Sequence, residues 1–437
     1  MILKTSLSIT RRSGSGKLEK GSAHLLILAS LLFLVACPRQ EGGGKQAESA
    51  LISRARAIHD RVLALDAHID IEVSFFTPEM PKKMGHQKLA SLTAMKSGGL
   101  DAAFFTAYVG QGPLTNEGFA EAHASAIDKI NRIHHVAEVE MPEEVAIALT
   151  PQDVSRIHEQ VKIVAIIGME NGYPIGEDIG NVEKFWNLGV RYITLSHIGH
   201  NQICDSSLGL DTQLPPHGGL SPFGHKVVAE MNRLGMLIDV SHIGKQSVLD
   251  VIRLSKAPVM ASHSTHRDFC GLERMWDDEQ LLALKNNGGV FHLVGLSMAI
   301  KAEPAEKTAA ISELREKMGF PKEYWPFFLA FEKAAYVNRR EYNGRLEAIE
   351  KQYPSANVKD FVDHLDDLVE RIGIDHVGIS SDFYDRSLSL DGWKDAGETF
   401  NITLELVRRG YTEEQILKIW SGNTLRVWSE VLEAAPS

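Results

Sequence analysis

This sequence predicts an α/β fold closed as a (β/α)8 barrel of the TIM type, on three observations. Short Val- and Ile-rich runs alternate with stretches of helical periodicity. Eight such runs can be counted, and six of the eight end in a histidine or a carboxylate. Strands separated by helices pair in parallel, and eight of them close into a barrel whose reactive side chains gather at the C-terminal strand ends. A chain of 437 residues accommodates one such barrel with extensions.

The elements follow in order. Lys4, Arg11, Arg12, Lys17 and Lys20 precede an apolar run of 11 residues, Leu25 to Val35, in which Ser30 is the one polar residue. Spanning a bilayer takes about 20 apolar residues, so this run fits the core of a signal peptide instead. It ends in LVAC, Leu34 to Cys37, which resembles the lipobox of bacterial lipoproteins. That resemblance implies a signal peptide over residues 1–36, lipidation of Cys37 and attachment to a membrane of the bacterial cell envelope, with the barrel on its periplasmic or extracellular face. Residues 37–50, with PRQEGGGKQAE at their centre, are expected to form a flexible tether. Beyond Cys37 only Cys204 and Cys270 remain, and they read as unpaired thiols of the core rather than a disulfide framework.

From Leu51 onward the catalytic body begins, and it is expected to run to residue 437. The strand candidates are Val62–His68, Leu100–Tyr108, Val161–Met169, Arg191–Ser196, Met236–Val240, Pro258–Ser262, Gly289–Val294 and His376–Ser381. Between them, stretches such as Gly224 to Gly235 place apolar residues at helical spacing. A charged segment over about 301–357 reads as a helical insertion, with the aromatics of WPFF, Trp325 to Phe328, packing onto the barrel. The net charge of −11 lacks the basic excess that nucleic-acid binding needs, so DNA and RNA are excluded as partners.

The strand ends carry the chemistry. The first run continues through His68 and Asp70, the third reaches Glu170, and the fourth runs into His197. The fifth runs into His242, the sixth into His263 and the eighth into Asp382. Side chains two apart on a strand share a face, so His68 and Asp70 are expected to point together into the barrel mouth and grip a metal ion. Asp66, one step deeper, reads as a supporting hydrogen-bonding residue. A lone histidine is usually structural, and most of the 18 here, among them His59, His134, His135 and His158, are expected at the solvated surface. Recurrence at equivalent positions of successive strands is what separates the six: burying so many polar groups without a cation would cost several kcal/mol each.

Five segments carry a family resemblance: RYITLSH (191–197), GLSPFGHKVVAEMNRLGMLIDVSH (219–242), SHSTHRDFCGLERMWDD (262–278), HVGISSDF (376–383) and GNTLRVW (422–428). The chain from about Val62 to its C-terminus is similar to the membrane (renal) dipeptidases, zinc peptidases built on a barrel of the metal-dependent hydrolase kind. The resemblance implies two zinc ions per chain, His68 and Asp70 holding the first, His242 and His263 the second, Glu170 bridging. It implies Asp382 as the catalytic carboxylate, His197 as a substrate-contacting histidine and Arg274 as the group that binds the substrate's carboxylate. Members of the family often pair as homodimers, for which the residues show no interface. Two motifs depart from the family pattern: Ala67 and Ile69 flank His68 where Gly and Asn are usual, and Ser381 to Asp385 reads SDFYD where GDFDG is usual.

The expected reaction is hydrolysis of a dipeptide by a metal-bridged hydroxide, since metal charge lowers the pKa of bound water to about 7. His197 would stabilise the oxyanion, Asp382 would shuttle the proton to the leaving amine, and the planar fork of Arg274 would select a free carboxylate. Two other readings stay open: a dinuclear amidase or lactonase on the same barrel, and a lipid-anchored peptide-binding protein without catalysis.

Overall fold

The computed structural model describes residues 41–70, 89–208, 215–271, 274–322, 334, 336–383 and 388–436. Its centre is a parallel sheet of nine strands: β1 (Leu65–Asp70), β2 (Ala102–Tyr108), β3 (Val145–Ile147), β4 (Ile163–Glu170), β5 (Val190–Thr194), β6 (Leu237–Asp239), β7 (Met260–Ser264), β8 (Val290–Val294) and β9 (Val377–Ser380). Eight run in the order β1-β2-β4-β5-β6-β7-β8-β9. The first and last of these meet through the Asp382 N–H, which donates to the His68 carbonyl at 3.1 Å, so the (β/α)8 barrel all but closes. The ninth strand, β3, lies outside this path and pairs only with β4. It was not expected from the sequence because three residues, VAI, are too few to show a strand period.

Inside the barrel the side chains form layers. Leu65, Phe104, Ile166, Tyr192, Leu237, Met260 and Val290 share one apolar cluster, closed by Trp428 of the last helix, whose ring lies 6.1 Å from that of Phe104. The alternate residues Phe105, Ile167, Ile193, Ile238, Phe291 and Ile379 pack outward in the cluster shared with the surrounding helices. Above the apolar layer the inward positions turn polar, with Thr106, Thr194, Asp239, Ser262 and His292 all fully buried.

Two register slips set what the rim presents. Between Asp66 and Ile69 the pairing of β1 with β2 takes up one extra residue, and β7 does the same against β8 between Ala261 and Ser264. A one-residue slip exchanges the two faces of a strand. Leu65 is inward below the slip, so strict alternation would have put Ala67 and Ile69 inward. Instead Ile69 joins the outer core, and His68 turns into the barrel.

The helices begin and end on chemical signals that the sequence spells out. The helix Pro222–Leu234 is capped by the Ser221 hydroxyl, has proline in its first turn, and stops at Gly235 with φ 72°. Capping boxes start the helices Asp278–Asn287 and Val358–Ile372. Within 301–357 the helices Ala305–Lys317 and Tyr336–Gln352 are joined by a small core of Leu314, Tyr342 and Leu346. The WPFF stretch lies outside the described residues.

Two expectations need correction. A helix spans Glu41–His59, so helical backbone covers most of the segment expected as a 37–50 tether. From Lys45 onward the residues are mostly strong helix formers, and the polar composition hid this. His59 is not at the surface but 2% exposed, its ring held between the Thr403 hydroxyl and the Gly98 carbonyl, each at 2.8 Å. It has polar partners on both ring nitrogens, which removes the cost of burying it. Cys204 is buried and Cys270 partly so, neither in a disulfide, as expected. Among the described residues no helix is long and apolar enough to cross a membrane.

Candidate metal centre

The strand ends bring the predicted residues to one place. Glu170, the last residue of β4 and 3% exposed, lies at the centre. Its Oε1 is 3.1 Å from His242 Nε2, 3.4 Å from His263 Nε2 and 3.6 Å from His197 Nε2. Its Oε2 faces the other way, 3.5 Å from His68 Nε2, which is itself 3.2 Å from Asp70 Oδ1. Asp382 completes a group with His68 and Asp70. All metal-capable groups found among the described residues belong to this one cluster: His68–Glu170–His263, Glu170–His197–His242 and His68–Asp70–Asp382.

Backbone strain is concentrated here. Asn171, His242 and Asp382 adopt φ of 79°, 64° and 55°, the left-handed region that non-glycine residues avoid. Each costs about 1–3 kcal/mol, and such costs persist where the surroundings hold a functional geometry. The Asp382 backbone is pinned by its bond to the His68 carbonyl, and the adjacent Ser381 N–H donates to Asp66 Oδ1 at 3.0 Å. Asp66 also accepts the His68 N–H at 3.1 Å, which is the supporting role expected for it.

The charge balance calls for cations. Burial raises the Asp382 carboxyl to about 7, and nearby Asp70 and Glu170 add to this against the opposing pull of His68. Burial and then Glu170 likewise raise Asp70. Burial depresses His197 to about 4 and His263 to about 3, and holds His242 well below its ordinary value with the help of Arg274. For Glu170, burial is outweighed by the surrounding imidazoles of His197, His68, His242 and His263, so it stays ionised. His68 differs: its burial is outweighed by Tyr192, Glu170 and Asp70, which raise it well above its ordinary value and hold a positive charge where a cation would stand. Imidazoles and crowded carboxylates around a shared oxygen pair are the donor set that zinc prefers, nitrogen and oxygen at close range. The residues fit the group.

Arg274 is present at the site: its Nη2 lies 2.6 Å from His242 Nε2. The structure therefore brings every predicted site residue of the barrel together, while Cys37 lies outside the described residues. Sequence reasoning passed over the polar layer beneath. Tyr192 bonds His68 Nδ1 at 2.7 Å, and Ser262, bonded in turn to Asp239, lies 2.9 Å from His263 Nδ1. The signal was legible, since Asp239 in LIDVSH and Ser262 in MASHS are polar residues at inward positions of apolar strands.

A barrel whose C-terminal rim gathers four imidazoles and three carboxylates in this way defines a metal-dependent hydrolase. The sequence profile of the membrane dipeptidases (peptidase family M19) matches residues 52–437, and the chain belongs to that family. Dipeptidase tcpJ of Claviceps purpurea (strain 20.1) is 27% identical over 384 residues, covering 87% of this chain and 77% of that protein. Dipeptidase verJ of Clonostachys rogersoniana is 28% identical, over 81% of this chain and 78% of its own length. Among solved structures, the probable dipeptidase PvdM from Pseudomonas aeruginosa superposes with a TM-score of 0.76 at 31% identity, over 89% of this chain and all of that one. Family and site together make this chain a metal-dependent dipeptidase, a hydrolase acting on peptide bonds.

Proposed function

We propose that the chain hydrolyses dipeptides with two zinc ions, one held by His68 and Asp70, the other by His242 and His263, with Glu170 shared. The observation that carries this reading is the Glu170 carboxylate, which turns one oxygen to His68 and the other to His242 and His263. Bound zinc supplies a water activated at neutral pH and positive charge for the carbonyl oxygen under attack.

The chain's own groups do the rest. Asp382, whose environment favours a proton near neutral pH, takes the proton released by the attacking water and passes it to the leaving amine. His197 stays neutral and donates a hydrogen bond to the developing oxyanion, where a fixed donor in a dry site is worth most. Arg274 grips the substrate's free carboxylate through both oxygens. Its guanidinium takes the same His242 lone pair that a cation needs. A cation held by His242 would take that lone pair, and the guanidinium would then turn to the substrate's carboxylate.

The apolar run Leu25–Val35 and the LVAC motif that ends at Cys37 support export and lipid anchoring of this enzyme in the cell envelope.

The test is metal analysis of the purified protein together with turnover of dipeptides, N-acyl amino acids and lactones. Two zinc ions per chain are expected, with dipeptide hydrolysis lost to a chelator and restored by zinc. One metal or none per active chain, or turnover confined to N-acyl amino acids or lactones, overturns the proposal.

A further inference from the structure

The hydrogen-bond directions beneath the site point to Asp239, Ser262, Tyr192 and Thr106 as positioning residues that lock His263 and His68 in the tautomer able to bind metal. This rests on the metal reading above and adds to it residues that lie below the cluster and touch neither metal nor substrate.

Asp239 is fully buried on β6. Four donors surround its carboxylate. Oδ1 accepts from the backbone N–H groups of Ser241 and Ser262 at 3.1 and 2.8 Å. Oδ2 accepts from the hydroxyls of Thr194 and Ser262 at 2.5 and 2.7 Å. A hydroxyl has one hydrogen, and that of Ser262 is committed to Asp239. Its oxygen can then only accept from His263 Nδ1, 2.9 Å away. The proton of His263 is thereby held on Nδ1, and Nε2 presents a lone pair to the cluster around Glu170.

A second chain does the same for His68. The Thr106 hydroxyl has the Phe104 carbonyl, an acceptor only, 3.4 Å away, and with its hydrogen turned there its oxygen accepts from Tyr192 at 2.7 Å. The Tyr192 oxygen accepts in turn from His68 Nδ1 at 2.7 Å, which leaves Nε2, on the side of Asp70 and Glu170, as the nitrogen that a cation would take in place of a proton. Tyr192 reaches this position by lying across Gly168, where a Cβ would come within 2.5 Å of the ring. Both chains run one way, from imidazole down into the barrel. A neutral imidazole binds metal through whichever nitrogen its other hydrogen bond leaves unprotonated.

The isosteric change Asp239→Asn tests the direction. To keep accepting two backbone N–H groups at Oδ1, the asparagine must place its NH2 where Oδ2 was. It then donates to Ser262, whose hydrogen turns toward His263 Nδ1 and forces the proton onto Nε2. Zinc affinity, measured by chelator competition, should fall about 10- to 100-fold. Excess zinc should restore kcat with KM unchanged. Ser262→Ala deletes the relay without forcing a donor on Nδ1, so its loss should be smaller. A merely structural role predicts the reverse order, with the metal-free unfolding temperature falling in step.

Wild-type zinc affinity separates the two claims. If wild type binds zinc and Asp239→Asn matches it, the relay is overturned alone; if wild type binds no divalent cation, both readings fall. Should Asp239→Asn fail to fold, Ser262→Ala decides by itself. Weaker zinc binding with an unchanged metal-free unfolding temperature supports the relay, and unchanged affinity overturns it.

Discussion

Replacing Glu170 by glutamine should strip the site of both metals rather than one. The carboxylate is buried, and its two oxygens lie between 3.1 and 3.6 Å from four imidazole nitrogens. At an effective dielectric of about 20, a unit charge and a divalent cation about 4 Å apart attract by about 8 kcal/mol. Relief of the carboxylate's own desolvation offsets part of this, and removing one partner of a buried charge pair costs about 3–5 kcal/mol net. At about 1.4 kcal/mol per tenfold, metal affinity should fall roughly 150- to 5000-fold. The glutamine fills the same volume and offers hydrogen bonds to the same rings, so the barrel should fold. The assay is metal content by mass spectrometry after dialysis at buffered free zinc, with Asp70→Asn as the comparison that loses one ion. A Glu170→Gln protein that keeps one ion at wild-type affinity, or both, would refute the bridging role.

Arg274→Ala should lower kcat/KM for dipeptides about 30- to 5000-fold, from about 2–5 kcal/mol for a lost charge-assisted pair. Zinc content should stay the same and Arg274→Lys should rescue only in part; if a dipeptide amide loses as much rate as the dipeptide, the arginine is not reading the carboxylate. Activity should rise with pH on its acid limb, because Asp382 acts as its ionised form, and bound cations should bring that limb below 7. In Asp382→Asn the limb should vanish with zinc retained, and an unchanged profile would remove Asp382 from the proton path. His292, buried between the Ala261 carbonyl and Thr424, has its pKa lowered from 6.5 to about 4 by burial. The unfolded chain therefore takes up this proton first, so stability is intact above about 6.5 and declines by about 1.4 kcal/mol per pH unit as pH falls toward 4. Chemical denaturation of His292→Gln across that window should show a slope shallower by one proton, and an equal slope would contradict the assignment. Cys37→Ser should release the enzyme from the membrane fraction or stall its processing, while turnover per folded molecule is unchanged; wild type recovered soluble with an unmodified Cys37 would count against the anchor.

The class of fold and the cast of the site were legible in the amino-acid sequence. Alternation of apolar strand runs with helical periods is a local property, and so are caps such as Ser221 and Gly235. Histidines and carboxylates at strand ends are equally local, and a parallel barrel carries all its strand ends to one rim whatever the loops do. The tertiary structure alone decided which faces those residues show and what stands behind them. Period-two reading placed His68 and Asp70 together at the barrel mouth, but it did not contain the one-residue slip in β1 that turns them inward while Leu65 stays in the core. Register is set by pairing with a neighbour distant in sequence, so no window of β1 contains it. The same holds for His59, buried by Thr403, 344 positions away, and for the Asp239–Ser262 pair drawn from different strands. Contacts made across such separations depend on how the barrel closes, and closure is a property of all eight strands together.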